Sequence, residues 1–536
     1  MSYFKSSRNI ERLFHTLRPV KLVQILYRMK YRLKRQKRPR PHLSVKIRDI
    51  DIIDTPTKRS YLEVRDEFWN FNFLNLSHTF NKHNVNWSFD NFGLLWSYNL
   101  NYFDWLNQSG LTKEQGLSTL KSFYAAANEN NPIIFHPYPT SLRIINTAKF
   151  IAKWNIKDDW LYNELASDLK FLKGRLEYHL LANHLLENAF ALYIGGLITN
   201  QDEFILKGKK LLLRELKEQV LQDGMHYERS PMYHLLIMER LLDALNFAKA
   251  TNNDLEFTLK AYSVKMASFS MNWDDLNRIP MMQDSAYGIA LEVSTILGYA
   301  KRLLGEDYPL KRGDLRDSGY RRLSSADFIL FANVGSIGPS YQPGHAHADE
   351  LNFELFHRGV PIIVDTGVST YEKNERRLVE RSTRSHNCIV LGSNSSDVWS
   401  GFRVGKRANV KISLDDDQKL IATHDGFDPL ILRSFDSSII GQITIKDKLE
   451  NRSTSKSSYG KGYLHFHPDV YLEQLNGTTF LINNQIVLTI NSDKYNSPVI
   501  NIEQYSYAKG YNMLIESTVI SYSVFKQTKI QLREVN

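Results

Sequence analysis

Near residue 320 the period of the apolar pattern changes, and a single-layer architecture cannot accommodate that change. Upstream, helix-like repeats run over 176–197, 203–222, 232–250 and 286–304, with short breaks and no interleaved strands after about residue 100. The decapeptide 189–198 is apolar throughout, too short to span a bilayer, and reads as a buried helix segment. Downstream, Leu351, Phe353 and Leu355 alternate with Asn352 and Glu354, and the buried-strand run 360–364 ends at Gly367. Further strands are predicted over 387–391, 410–414, 437–446, 480–482, 485–490 and 517–525, with turns at Asn476-Gly477 and Asn491-Ser492-Asp493. The pattern predicts a multidomain α+β chain. A helical unit of over 200 residues, too large for a simple bundle and suited to a toroid of paired helices, precedes an antiparallel sandwich.

The N-terminus stands apart. Residues 1–40 carry thirteen Lys or Arg against one acid, Glu11. That is a net +12 in a chain whose total is +10, which leaves the other 496 residues at −2. The high isoelectric point therefore belongs to an arm and not to a groove in the body. Leu13, Leu17, Val20, Val23 and Leu26 recur at helical spacing among the basic residues, Pro19 suits the first turn of a helix starting near Arg18, and Pro39 and Pro41 mark a linker. Such an arm suits phosphate or an anionic membrane surface, or is a solvated basic helix with no partner. The expected boundaries are a basic arm over 1–42, a mainly helical toroid over 43–315 and a β-sandwich over 316–536. The one cysteine, Cys388, excludes an internal disulfide framework. No transmembrane segment or secretory signal is evident.

Three polar clusters lie within these patterns. In Asn183-His184-x-x-Glu187-Asn188, offsets of three and four put the four side chains on one side of a helix that is otherwise apolar. That side must face a polar cavity or solvent, and a locally hydrogen-bonded surface helix has the same spacing. In Asp223-Gly224-x-x-Tyr227-Glu228-x-Ser230-Pro231-x-Tyr233-His234, Ser230 caps a helix with Pro231 in its first turn, so Tyr233 and His234 sit near a helix N-terminus. A helix end or an adjacent cation lowers a phenol's pKa, as a tyrosine base requires, although a tyrosine tying a loop to a core fits equally.

The third cluster is His345-x-His347-x-Asp349, followed by Asp365 and by Ser385-His386-Asn387. On an extended strand His345, His347 and Asp349 share one face, and two imidazoles with a carboxylate make a zinc ligand set or a buried polar network. His465 and His467 share another strand face and either line the same cavity or are exposed. A phosphate-binding glycine loop, paired CxxC motifs and a Gly-x-Ser-x-Gly elbow are absent, so kinase, nucleotide and serine-hydrolase readings have no local support. Aromatics at 12% suit a carbohydrate surface or large packed interfaces.

In order along the chain, the segments from Leu95-Trp96-Ser97-Tyr98 through Asn183–Asn188, Asp223–His234, Tyr341–Asp349 and Arg381–Asn387 resemble the heparinase II/III-like polysaccharide lyases over roughly residues 85–470. The resemblance implies an incomplete (α/α) toroid followed by an antiparallel β-sandwich. It also implies β-elimination on a uronic-acid-containing polysaccharide, leaving a 4,5-unsaturated uronate end. Removing the weakly acidic C5 proton builds enolate charge on the uronate carboxylate, and each donor aimed there is worth roughly 3 kcal/mol in the transition state.

Carried over by motif, Asn183 and His184 neutralise that carboxylate, and Tyr233 acts as base toward C5 and acid toward the leaving O4. His345 is the alternative base across the cleft. His347, Asp365 and His386 are the ligands of one divalent ion, usually zinc, with a structural role. Glu187 is the orienting partner of His184 at i,i+3, and His234 and His465 are further candidates for substrate binding or orientation. Because the basic excess lies in the arm, a non-sulfated or sparsely sulfated capsule, exopolysaccharide or alginate-like uronan is the expected acidic partner. No specific nucleic-acid partner is expected. The resemblance favours a periplasmic or extracellular enzyme, while the missing signal leaves the cytoplasm open. The competing functions are a non-catalytic glycan-binding protein of a surface-polysaccharide system and a glycoside hydrolase. The hydrolase would require paired carboxylates among Glu187, Glu228 and Asp349.

Overall fold

The computed structural model describes residues 2–33, 38, 48–57, 59–127, 132–306, 308–450, 459–492 and 497–535. Two helices, α1 (Ser2–Leu17) and α2 (Leu22–Leu33), form the arm. Pro19 lies between them and does not open a helix. Its missing N–H and fixed φ interrupt the ladder, and α2 restarts where Lys21 N donates to Gln24 Oε1 at 2.9 Å. The linker expected at Pro39 and Pro41, and with it the 42/43 boundary, lies outside the described residues, as does Asp493.

The helical region comprises α3 (Leu94–Tyr102), α4 (Lys113–Ala126), α5 (Pro137–Trp154), α6 (Asp159–Gly174), α7 (Ala182–Thr199), α8 (Asp202–Gln219), α9 (Pro231–Ala250), α10 (Glu256–Ser270) and α11 (Val293–Leu304). They form a toroid-like array centred on α7, against which α5, α6, α8 and α9 pack. Every residue of α7 except His184 is buried, which is why its sequence is apolar on all sides. Two of the predicted helices start late. The chain from 176 turns before α7 because Leu181 (φ 62°) and Ala182 (φ 52°) adopt left-handed backbone, and the chain from 286 becomes helical only at Val293. The segment 60–100, rich in Trp and Phe, holds a three-stranded sheet, Leu62–Val64, Phe68–Phe73 and Leu76–Asn81, that was not expected. In Phe68–Phe73 the alternation Trp69, Phe71, Phe73 faces the helical core, the period-two signature of a half-buried strand.

From Tyr320 onward the chain is built mainly of antiparallel sheets, with a short helix at Glu375–Glu380 that carries Arg377. Eight strands run in the order Val410–Asp415, Lys419–His424, Leu430–Asp436, Gln442–Glu450, Gln527–Glu534, Ile486–Ser492, Thr479–Ile482 and Leu472–Asn476. Two four-stranded sheets and a two-stranded hairpin complete the region: Tyr320–Ser325, Phe328–Asn333, Phe353–His357 and Val360–Ile363; Ile500–Gly510, Met513–Val524, Gly460–His465 and Ile389–Val390; and the hairpin of Val398–Trp399 with Arg403–Val404. Their apolar faces share one core that includes Leu330, Phe353, Phe435, Ile445, Leu488 and Ile530. Within it the cross-strand pair Arg433 and Asp447 is buried, with Arg433 Nε donating to Asp447 Oδ1 at 2.6 Å. Arg433 Nη1 also donates to Leu351 O at 2.9 Å, which fixes the segment entering the Phe353 strand.

The strand expected over 345–349 is not formed. Residues 341–352 are an irregular loop, and the strand begins at Phe353. The loop's polar groups pair with another part of the chain in place of a neighbouring strand: Asp284 N donates to His345 O at 3.1 Å, and His347 N to Gln283 Oε1 at 2.9 Å.

Candidate active site

A cavity of about 770 Å³ lies where the helical region meets the sandwich, lined by residues of both, among them Asn183, His184, Glu187, Tyr233 and His345. On the helical side, α7 enters through the two left-handed residues Leu181 and Ala182. Non-glycine residues hold that conformation only where their surroundings enforce it. Gln219 Nε2 donates to Ala182 O at 3.0 Å, and Asn183 N, one of the helix's open amides, donates to Glu228 Oε1 at 3.0 Å.

His184 projects from α7 with its ring 4.6 Å from that of Tyr138. Its Nδ1 meets Glu177 Oε1 at 3.1 Å. Glu177, in the turn before α7, and not the i,i+3 residue Glu187, therefore orients it. Glu187 lies beside Arg240, Oε2 to Nε 3.6 Å, where Arg240 also approaches Asp104 and Glu239. Burial alone would lower the His184 pKa, but the Glu177 carboxylate overrides it and leaves the value raised, favouring the cation.

Ser230 and Pro231 occupy the positions the sequence predicts. Pro231 opens α9, and Ser230 Oγ accepts from Tyr233 N at 3.2 Å while donating to Asp284 O at 2.7 Å. Tyr233 stacks on His345 with ring centroids 3.9 Å apart, and Tyr371 donates to its hydroxyl at 3.4 Å. Burial pushes the phenol far above its usual range. Tyr371 and Arg377 pull it down, Asp284 and Glu228 push it further up, and the helix N-terminus does not reverse the outcome. Tyr233 is therefore a phenol and not a phenolate.

His345 is held at both nitrogens: Nδ1 meets Asp284 Oδ2 at 2.8 Å, and Nε2 lies 3.3 Å from Glu228 Oε2. Glu228 thus joins the backbone of Asn183 to the ring of His345. Burial holds its carboxyl above the usual range. Asp284 is fully buried, yet a bidentate pair with Arg377 (2.5 and 2.7 Å) keeps it well below the usual carboxylate range. Its second oxygen meets His347 Nε2 at 2.8 Å. One buried carboxylate therefore fixes both histidines of the His345-x-His347 pair.

His347, Asp365 and His386 are buried side by side. His386 Nδ1 meets Asp365 Oδ2 at 2.7 Å, and the two imidazole rings stand 5.2 Å apart. His347 Nδ1 and His386 Nε2 are buried nitrogens with no hydrogen-bond partner, each on a ring whose other nitrogen meets a carboxylate, as in a metal-ligating imidazole. The donor types suit a divalent ion, but the ligand atoms of these three do not gather within 4.8 Å of one another. Among the described residues, the trio whose ligand atoms gather within 4.8 Å of one another is a different one, Asp327, His357 and Glu534, at the sandwich edge. There Arg358 Nε already donates to Asp327 at 2.6 Å.

Two expected residues do not reach the cavity. His234 turns away from Tyr233 into the helical core, with Nε2 at 2.9 Å from Ser270 Oγ and Nδ1 accepting from His226 N, and burial pushes it down to about 3. His465 lies inside the sandwich with its Nδ1 3.2 Å from Asn387 Oδ1, and burial lowers it to about 3 as well. Asp349 is also withdrawn, accepting both hydrogen bonds from Gln283 Nε2, and burial raises it to about 7.

The sequence reading missed Glu177, Asp284, Arg377, Arg240 and Tyr371. Asp284 meets its partners 61, 63 and 93 residues away, so no local spacing marks it. The one local signal is the left-handed φ of 56° at Gln283, which becomes visible only in three dimensions.

The family description "Heparinase II/III N-terminus" matches residues 96–295, and "Heparinase II/III-like, C-terminal" matches 309–532. A heparin-sulfate lyase of Pedobacter heparinus is 30% identical over 210 residues, covering 34% of this chain and 31% of the relative. A second, from Bacteroides thetaiotaomicron, is 24% identical over 291 residues, 44% of this chain and 41% of the relative. The chain thus spans less than half the length of these curated relatives. A crystal structure of heparinase III shares the fold with TM-score 0.65 at 14% identity, over 96% of this chain and 91% of that one. A heparan sulfate lyase from Pedobacter heparinus does so with TM-score 0.54 at 16% identity, over 96% and 88%.

Proposed function

We propose, from the premise that the chain belongs to the heparinase II/III-like polysaccharide lyase family, that it cleaves a uronic-acid-containing glycan by β-elimination. The observation that carries this reading is that Asn183, His184, Tyr233 and His345 line one cavity, with the tyrosine and histidine rings in contact. The uronate carboxylate enters beside Asn183 and His184. The amide and the raised imidazole supply donors to the oxygens on which enolate charge develops.

The two facing rings divide the proton transfers. Asp284, kept ionised by Arg377, takes the Nδ1 hydrogen bond of His345, and Nε2, which lies 3.3 Å from Glu228 Oε2, serves as base toward C5 once substrate takes the place of that contact. Tyr233, which burial keeps as a phenol, delivers its proton to the departing O4. The C4–O4 bond breaks as the C4–C5 double bond forms, giving an unsaturated uronate on one fragment and a hydroxyl on the other.

His347, Asp365 and His386 would hold a divalent ion, zinc by donor type, which when bound would fix the loop carrying His345. The lining includes Arg59, Arg240 and Lys373 but also Asp104, Glu187, Glu228 and Glu372, a balance that favours a sparsely charged uronan over a densely sulfated one.

Incubation with a set of uronans tests the reading. The expected product absorbs near the ultraviolet edge, and Tyr233→Phe abolishes its formation while glycan retention persists. Retention without product in the unaltered protein would leave a glycan-binding protein, and full turnover by Tyr233→Phe would remove the assigned acid.

A further inference from the structure

The two arm helices are mounted with their polar faces inward. In α1, Arg12 Nε and Nη2 donate to Asp397 at 2.8 and 2.6 Å, and Thr16 Oγ1 accepts from Trp399 Nε1 at 3.1 Å. In α2, Gln24 is buried and donates to Leu180 O at 3.2 Å, Tyr31 OH donates to Leu176 O at 2.5 Å, and Tyr27 packs on Tyr178. Gln24, Tyr27 and Tyr31 follow the i, i+3, i+7 spacing of one helix face, and that face is the docked one.

The opposite faces are apolar and open. Ile10, Leu13, Phe14 and Leu17 on α1, and Leu22, Ile25, Leu26, Met29 and Leu33 on α2, are exposed, Leu22 at 69% and Leu33 at 87%. A surface helix of a soluble domain ordinarily buries its apolar stripe, and both of these present it outward. Arg18, Arg28, Lys30 and Arg32 are exposed around the stripe, within the segment that holds the chain's entire positive excess. No helix among the described residues is long and apolar enough to cross a membrane.

We propose that α1 and α2 form an in-plane anchor for an anionic bilayer surface. The leucine and phenylalanine side chains enter the acyl boundary, and the flanking Arg and Lys lie at the level of the anionic headgroups. Charge complementarity selects lipid over a second copy of the chain, because two such arms placed face to face would bring their basic flanks together. The anchor also clasps the cleft. Leu180, which accepts from Gln24, lines the cavity, and so does Phe402, which lies in the hairpin that carries Trp399. Lipid binding through the arm therefore holds the cavity within a short distance of the membrane.

Flotation with vesicles of phosphatidylglycerol and phosphatidylcholine, beside vesicles of phosphatidylcholine alone, tests this without reference to turnover. The full chain is expected to float with the anionic vesicles, to be released by high salt, and to stay at the bottom with neutral ones. Leu22→Glu with Leu26→Glu should reduce binding by about tenfold or more, and Arg28→Glu with Lys30→Glu should weaken it and its salt dependence. These positions are exposed, and an unchanged melting curve confirms that the variants fold. Failure of the unaltered chain to float, equal binding by the leucine variant, or concentration-dependent dimerisation lost in that variant without any vesicle binding would each overturn the proposal.

Discussion

His184 and Glu177 show how one residue pair sets the working pH of the proposed chemistry. Burial lowers the histidine's pKa and Glu177 more than offsets it, so the cation that can meet a substrate carboxylate persists to higher pH than an unassisted buried imidazole would allow. Turnover is expected to fall as pH rises through that value. Glu177→Gln removes the raising charge and should move the alkaline limb of the kcat/KM profile to lower pH; an unmoved limb would exclude His184 from carboxylate recognition. Asp284 does comparable work for two rings at once. Arg377→Met strips it of its bidentate partner, and the uncompensated buried carboxylate should cost about 3–5 kcal/mol in denaturant unfolding. His386→Ala should abolish retention of a bound divalent ion, measured by elemental analysis, whereas His465→Ala should leave metal content intact because its ring is engaged by Asn387. His234 and His465 were misassigned because adjacency in sequence does not determine on which side of an element a side chain emerges.

Between elements, α7 and α8 approach closely. A Cβ on Gly208 would lie 2.6 Å from Tyr193 N, and one on Gly196 would lie 2.7 Å from Ile205 N, so both glycines are required by backbone proximity. Gly208→Val should destabilise by about 1–3 kcal/mol through forced separation of the helices, seen as a lower Tm. Because α7 carries Asn183 and His184, the same substitution should reduce turnover, although residue 208 lies outside the cavity lining. The elements themselves were largely legible. The buried apolar run of α7, the Ser230-Pro231 start of α9 and the alternating strands of the sandwich follow from period and capping. The loop at 341–352 was not, because it is held by partners some sixty residues away at Gln283 and Asp284; the three-stranded sheet over 62–81 pairs locally, and the alternation of Trp69, Phe71 and Phe73 was the signal for it.

At the scale of the molecule, the arm, the helical region and the sandwich are joined by buried ionic contacts. Asp168 on α6 receives Arg38, Arg143 of α5 and the hydroxyl of Tyr124 on α4. Burial opposes its ionisation, but the two arginines prevail and hold its carboxyl below the usual range. A depressed folded-state value contributes stability that is complete above the unfolded carboxylate's value of about 3.9 and is lost as pH falls through the lower folded one. Asp168→Asn should therefore flatten the acid limb of the stability-against-pH curve; an unchanged limb would remove Asp168 from acid unfolding. The sequence by itself determined the order of architectures and the charge of the arm, and it marked Asn183, His184, Glu187, Tyr233 and His345 among the residues that line the cavity. Helical and strand periods, caps and net charge are local properties of the chain. The tertiary structure alone decided that Asp284 and Arg377 hold both histidines, that Glu177 and not Glu187 orients His184, that Tyr233 stays protonated, and that the arm turns its apolar face outward. Each of these depends on groups far apart in sequence meeting in a buried, low-dielectric space, and residue spacing carries no record of that.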